Sequence, residues 1–119
     1  MDELERDEAE RVQAERANRV AVMRADYEYN LMCRVLDTEH GRALVHLVLR
    51  EAGVHHTSAV PGDPHMTYFN EGKRQIGLLM EERVFTSAPE AYTIMCREFQ
   101  EREDRLAARA EAAREANDG

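Results

Sequence analysis

Apolar side chains in this chain crowd between Tyr27 and Phe99, while the segments on either side are rich in Glu, Arg and Ala. That division limits the fold more than any motif does. A core can form only in the middle, and in 119 residues it amounts to one small domain whose surface competes hard with its interior. Hydrophobic content is ordinary at 43%, so the middle is well supplied because the ends are not.

The apolar positions recur at helical steps. Residues 2 to about 36 read as helix, with a break near Ala25–Asp26 left open. Val20, Met23, Tyr27, Leu31 and Val35 form one apolar stripe in it, and before Val20 the stripe dissolves into good helix formers with little to bury. Asp37-Thr38 reads as a stop followed by an N-cap. The next helix ends at Gly53, placed as the residue after the C-cap, where a left-handed conformation is cheap only for glycine. Its inner face is expected to be Ala43, Leu44, Leu47, Val48 and Ala52, widened by Val45 and Leu49. Glu39, Arg42, His46 and Arg50 form the polar stripe opposite.

Thr67 is the expected cap of a third helix over about Tyr68 to Val84, with Phe69, Gly72, Ile76, Leu79, Met80 and Arg83 on its inner side. Gly72 and Gly77 each cost about 1 kcal/mol relative to alanine in a helix, which points to close passage of another backbone. Ser87, Pro89 and Glu90 give a capping box for the last helix. Tyr92, Met95, Phe99, Leu106, Ala110 and Ala113 carry that helix on to about Ala116. No strand-like alternation appears. The expected fold is all-α: a small helical bundle with long charged N- and C-terminal helical arms, divided as arm 1–25, central helical domain 26–98 and arm 99–119. Neither arm has the sustained apolar seam of an autonomous coiled coil, which leaves a solvated helix or an arm docked on another protein as the main readings.

Charge excludes some functions. Formal net charge is −8, and residues 1–25 and 97–119 each carry seven acids against five bases. No segment is basic, so nucleic-acid binding by phosphate neutralisation has little to work with. No apolar run reaches the roughly 18–20 residues of a membrane span, and the N-terminal Met-Asp-Glu-Leu-Glu is not a secretion signal. Cys33 and Cys96 read as small buried thiols in a reducing cytoplasm, with a bridge between them left open.

The stretch GVHHTSAVPGDPHMTYFNEGKRQIG, Gly53 to Gly77, invites a chemical reading. It holds three of the five histidines and four of the six glycines. His55, His56, Asp63 and His65 contain donors for a divalent metal, but no ligand pair has the fixed spacing of a zinc motif. Gly72-Lys73 lacks the second glycine and the following Ser or Thr of a phosphate loop. Among Cys33, Cys96, Ser58 and Ser87, nothing local activates a nucleophile. No catalytic, cofactor or metal residue is therefore expected.

The segment from Leu36 to Val84, with the PEAYTIMCRE that begins at Pro89, resembles a small bacteriophage virion-cassette domain family typified by a protein of a short-tailed Bordetella phage. The pattern comprises Thr38, Gly41-Arg42, Gly53-Val54, Thr57-Ser58, Phe69-Asn70-Glu71-Gly72, Arg74, Gly77 and Pro89-Glu90-Ala91-Tyr92, and it covers roughly residues 35–98. The resemblance implies a phage protein encoded among head and tail genes, with no catalytic residue to carry over. The corresponding expectation is a non-enzymatic virion structural protein, made in the bacterial host cytoplasm and oligomeric in the particle. It would contact portal, tail, capsid or ejection proteins at the head-to-tail neck, in the tail or as an internal ejected component. An assembly or scaffolding factor, or a small metal-binding regulator, are the alternatives. Gly53, Phe69, Asn70, Glu71 and Gly72 are expected to form a structural clasp: Phe69 in the core, Gly72 against a passing backbone, Asn70 and Glu71 tied to the loop before them.

Overall fold

The computed structural model describes residues 2–118 and contains four helices: α1 (Glu3–Leu36), α2 (Glu39–Glu51), α3 (Pro64–Ser87) and α4 (Pro89–Asp118). No strand occurs among the described residues, so the fold is all-α. The chain divides into two units between Leu31 and Met32.

The first unit is the part of α1 up to Leu31. Asp2 and Glu5 cap it reciprocally: the Glu5 amide donates to Asp2 Oδ1 at 2.7 Å and the Asp2 amide to Glu5 Oε2 at 3.3 Å. The helix passes through Ala25–Asp26 unbroken, because neither residue lacks an amide or favours a positive φ. Arg11 joins Glu8 at 2.6 Å and Glu15 at 3.2 Å, exposed pairs worth a few tenths of a kcal/mol each. Val20, Met23, Tyr27 and Leu31, the members of the expected apolar stripe that lie in this unit, are exposed.

In the second unit, α2, α3 and α4 pack on one another. Their core is Met32, Leu36, Val45, Leu49, Val54, Val84, Ala91 and Met95, with Val84 and Met95 wholly enclosed. Two stops set its geometry. At the α1–α2 corner, Thr38 Oγ1 accepts the Gly41 amide at 3.0 Å, and a Cβ on Gly41 would collide with the Val35 carbonyl, so only glycine fits. After α2, Gly53 adopts φ +70°, its amide donates to Arg50 O and the Val54 amide to Leu49 O. This paired stop brings buried Val54 onto buried Leu49.

The start of α3 differs from the expected one. Asp63, not Thr67, is the N-cap, accepting the Met66 amide at 3.0 Å, and Pro64 fills the first helical position. Proline there forfeits only an amide that has no helical partner. The α3–α4 junction also differs. Ser87 is the last residue of α3 and Ala88 alone links the helices, so the serine does not cap α4.

The packed faces of α2 and α3 are rotated from those the apolar spacing suggested. Val45 and Leu49 are the buried residues of α2, while Leu44, Leu47 and Val48 are exposed. The cause is polar: Arg42 and His46 find partners on α4, and those contacts turn the supposed outer stripe inward. On α3, Gly77 and Val84 are buried and Phe69, Ile76 and Leu79 are exposed. A Cβ on Gly77 would lie 2.5 Å from Val54 Cγ2 and 2.6 Å from Ala52 Cβ. The end of α2 therefore rests on α3 at Gly77, and this contact selects the facing side.

Candidate functional site

The loop between α2 and α3 is held by α3 itself. Val60, Pro61, Gly62 and Asp63 form a turn closed by the Asp63 amide on Val60 O at 3.1 Å, with Gly62 at φ +79° supplying the positive φ that follows a proline in such turns. Thr67 Oγ1 accepts the Val60 amide at 2.9 Å and donates to Asp63 O at 3.0 Å. One turn on, Asn70 Nδ2 donates to Ser58 O at 3.4 Å. Ser58 also bonds Glu71, and this hydrogen bond, followed by those from Gln75 and Arg74, holds the Glu71 carboxyl below its ordinary range.

The expected clasp is thereby corrected in two of its members. Phe69 is 61% exposed, its ring carrying Lys73 Nζ at 5.2 Å from the centroid instead of entering the core. A Cβ on Gly72 would meet nothing within 4 Å, so no backbone passes there; the close approach belongs to Gly77, five residues on. Gly53 stands in its left-handed stop, and Asn70 and Glu71 reach the loop at Ser58 as described.

The charged anchor of the unit is Arg42 with Glu98. Arg42 Nε lies 3.0 and 3.2 Å from the two carboxylate oxygens and Nη2 lies 2.7 Å from Oε1, while Nη1 donates to Leu36 O at 3.1 Å. One guanidinium thus ties the end of α1, the start of α2 and the middle of α4. The hydrogen bond to Glu98 raises the already high Arg42 pKa against the opposing effect of burial.

A cavity of about 280 Å³ opens beside this anchor, lined by His46, Leu49, Arg50, Val54, His55, His56, Tyr92 and Phe99. The His46 ring stacks on Phe99 with centroids 4.4 Å apart, and the Arg50 guanidinium lies 5.0 Å over the same phenyl. Burial first, then the charges of Arg50 and Arg102, push the His46 pKa down. At the edge, His55 Nε2 hydrogen-bonds the Tyr92 hydroxyl at 2.8 Å and lies 3.4 Å from Glu81 Oε2. Burial raises both the Tyr92 phenol and the neighbouring Cys96 thiol.

These positions bear on the chemical candidates. Among the described residues, no group of three or more His, Cys, Asp or Glu is placed to hold a metal. His55 is engaged by Tyr92, Asp63 caps α3, and His65 is exposed in the first turn of that helix. Both cysteines are free: Cys33 Sγ donates to Ser87 O at 3.5 Å, and Cys96 has a raised thiol pKa, the opposite of activation. Ser58 ties the loop, and Ser87 ends α3. No helix among the described residues is long and apolar enough to cross a membrane.

Of the two helical glycines expected at a close approach, Gly77 is at one and Gly72 is not, while the Thr67 tie and the Arg42–Glu98 anchor were not anticipated. Only Gly77 left a signal, as a helical glycine indistinguishable from Gly72. A pairing across 56 positions leaves none. The model of the Bbp19-like phage protein family matches residues 32–97, more than half of the chain. No curated protein and no solved structure matches it.

Proposed function

The chain belongs to the Bbp19-like phage protein family, and from that premise we propose that it is a non-enzymatic structural protein of the virion, acting through contacts with other virion proteins. The observation that carries this reading is the pair of apolar faces left uncovered on α2 and α3. Leu44 is 59% exposed, Phe69 61%, Ile76 64% and Leu79 57%. Phe69, Ile76 and Leu79 lie on one helical face at steps of seven and three, a spacing that buries side chains when a neighbouring helix packs on it. Exposed apolar surface arranged in this way marks protein contact. The neck, the tail and the ejected interior are the places such a component would occupy, with portal, tail, capsid or ejection proteins as partners.

Composition analysis of purified, disrupted particles tests the reading. The chain is expected at stoichiometric level in mature virions. Its presence in assembly intermediates and loss from mature particles would assign it to assembly instead. An Ile76→Glu, Leu79→Glu variant should fold as well as the parent, since both side chains face solvent, and yet fail to enter particles. Normal incorporation of that folded variant would remove the apolar face of α3 from the contact.

A further inference from the structure

We propose that the cavity between the second half of α2, the turn after it and α4 binds a carboxylate presented by a partner polypeptide, from an Asp or Glu side chain or a C-terminus. The inference rests on the contact-protein reading only for the source of that carboxylate, not for the site.

Charge is the first argument. The chain carries −8 overall, yet the cavity lining contains Arg50, His46, His55 and His56 and no Asp or Glu. Of the carboxylates in its neighbourhood, Glu98 is engaged by Arg42 at 2.7 Å, and Glu81 stands at the cavity edge with its buried Oε2 3.4 Å from His55 Nε2 and without a hydrogen-bond partner. Arg42, one face of the same helix, shows what an arginine does here when a carboxylate is available. Arg50 has none among the described residues; its guanidinium lies over Phe99, which leaves its edge N–H groups free to form a fork with an oxyanion. Three residues beyond Phe99, Arg102 carries a buried Nη1 with no hydrogen-bond partner. Arg102 does not itself line the cavity, but its charge acts on His46, which does.

Shape is the second argument. A cavity of about 280 Å³ falls just below the roughly 300–1,000 Å³ of typical small-molecule sites and suits a single side chain. Leu49, Val54, Tyr92 and Phe99 give it apolar walls for a methylene stem. Burial is the main cause of the depressed His46 pKa, and the charges of Arg50 and Arg102 add to it.

The test uses the full chain and histidine side-chain NMR titrations. Acetyl-glutamyl amide is the probe, inorganic phosphate the competing oxyanion, and sodium chloride at matched ionic strength the control. The probe is expected to saturate, to raise the His46 pKa by offsetting Arg50 and Arg102, and to perturb His56. Arg50→Gln should weaken the probe by about tenfold or more, as loss of a charged hydrogen bond does. Arg50→Lys, with charge but no fork, should fall between. In the free protein Arg50→Gln should itself raise the His46 pKa, which shows that the variant is folded with the site intact. A His46 response equal to that in sodium chloride, unchanged probe binding in Arg50→Gln, or tighter binding of phosphate than of the probe would each overturn the assignment. Presence in particles is decided by composition alone, so failure here leaves the virion reading standing, and the reverse.

Discussion

Two helical glycines five residues apart should respond to alanine with opposite signs. Gly72 faces open space, so Gly72→Ala adds no contact and removes the backbone freedom of glycine from the unfolded chain. The expected gain is up to about 1 kcal/mol. Gly77→Ala collects the same intrinsic gain but places a methyl 2.5 Å from Val54 Cγ2 and 2.6 Å from Ala52 Cβ, roughly an ångström inside ordinary contact. Neither neighbour can retreat cheaply: Val54 is buried on Leu49, and Ala52 is fixed by the left-handed stop at Gly53. Overpacking of this kind costs about 1–3 kcal/mol, leaving a net loss of up to about 2 kcal/mol after the propensity gain. Urea melts of the full-length protein measure both, with an unchanged m-value showing that compactness is kept. In thermal melts each kcal/mol should move the midpoint by about 4–8 °C. A Gly77→Ala protein stabilised as much as Gly72→Ala, or a Gly72→Ala protein less stable than the parent, would refute the assignment of the close approach to Gly77.

Arg42→Ala should destabilise the protein by about 3 kcal/mol in urea melts, because it leaves Glu98 half-buried without its cation and the Leu36 carbonyl without its donor. Replacing both Arg42 and Glu98 by methionine should recover most of that loss, as apolar pairs of similar volume do. Asp63→Ala should cost about 1 kcal/mol through the lost cap of α3, and Thr67→Ala should leave that cap intact, which separates the two roles by chemical denaturation. Stability should also depend on His46: its folded pKa is lowered, so the unfolded chain binds the extra proton and stability falls as pH drops below about 6.5. Urea melts between pH 5 and 7.5 should show that slope reduced in His46→Phe.

The order and approximate extent of the four helices were legible in the residues, because capping residues and glycine stops act within a few positions. Thr38 and Gly53 behave as their local chemistry requires. Where two local signals competed the stronger one won: Asp63-Pro64 starts α3 ahead of Thr67, whose hydroxyl then became free to hold the turn at Val60. The orientation of α2 and α3 was not legible. It depends on Arg42 meeting Glu98 and on Gly77 meeting Ala52 and Val54, contacts between residues far apart in the chain. Phe69 and Gly72, the aromatic and the small residue of one expected inner stripe, face solvent and open space, while Met80 of the same stripe packs on the core.

The way this expectation failed bears on function. Helical periodicity reports that a face is apolar, not which molecule covers it. A protein that folds alone needs one such face per helix, whereas one that folds and then docks needs two. In α2 the two are adjacent: Val45 and Leu49 serve the core, and Leu44, Leu47 and Val48 remain uncovered. In α3 they are separated by composition, Gly77 and Val84 inward against Phe69, Ile76 and Leu79 outward. The larger side chains are on the outside, the reverse of what stability of a small core alone would select. Alanine and arginine extend α4 well past Phe99 with no buried residue, and helices so little supported by packing are marginal in water by themselves. Uncovered apolar faces and long polar helices are accounted for together if the missing partners of both are other proteins, and the carboxylate cavity on α2 and α4 then gives one of those contacts its specificity.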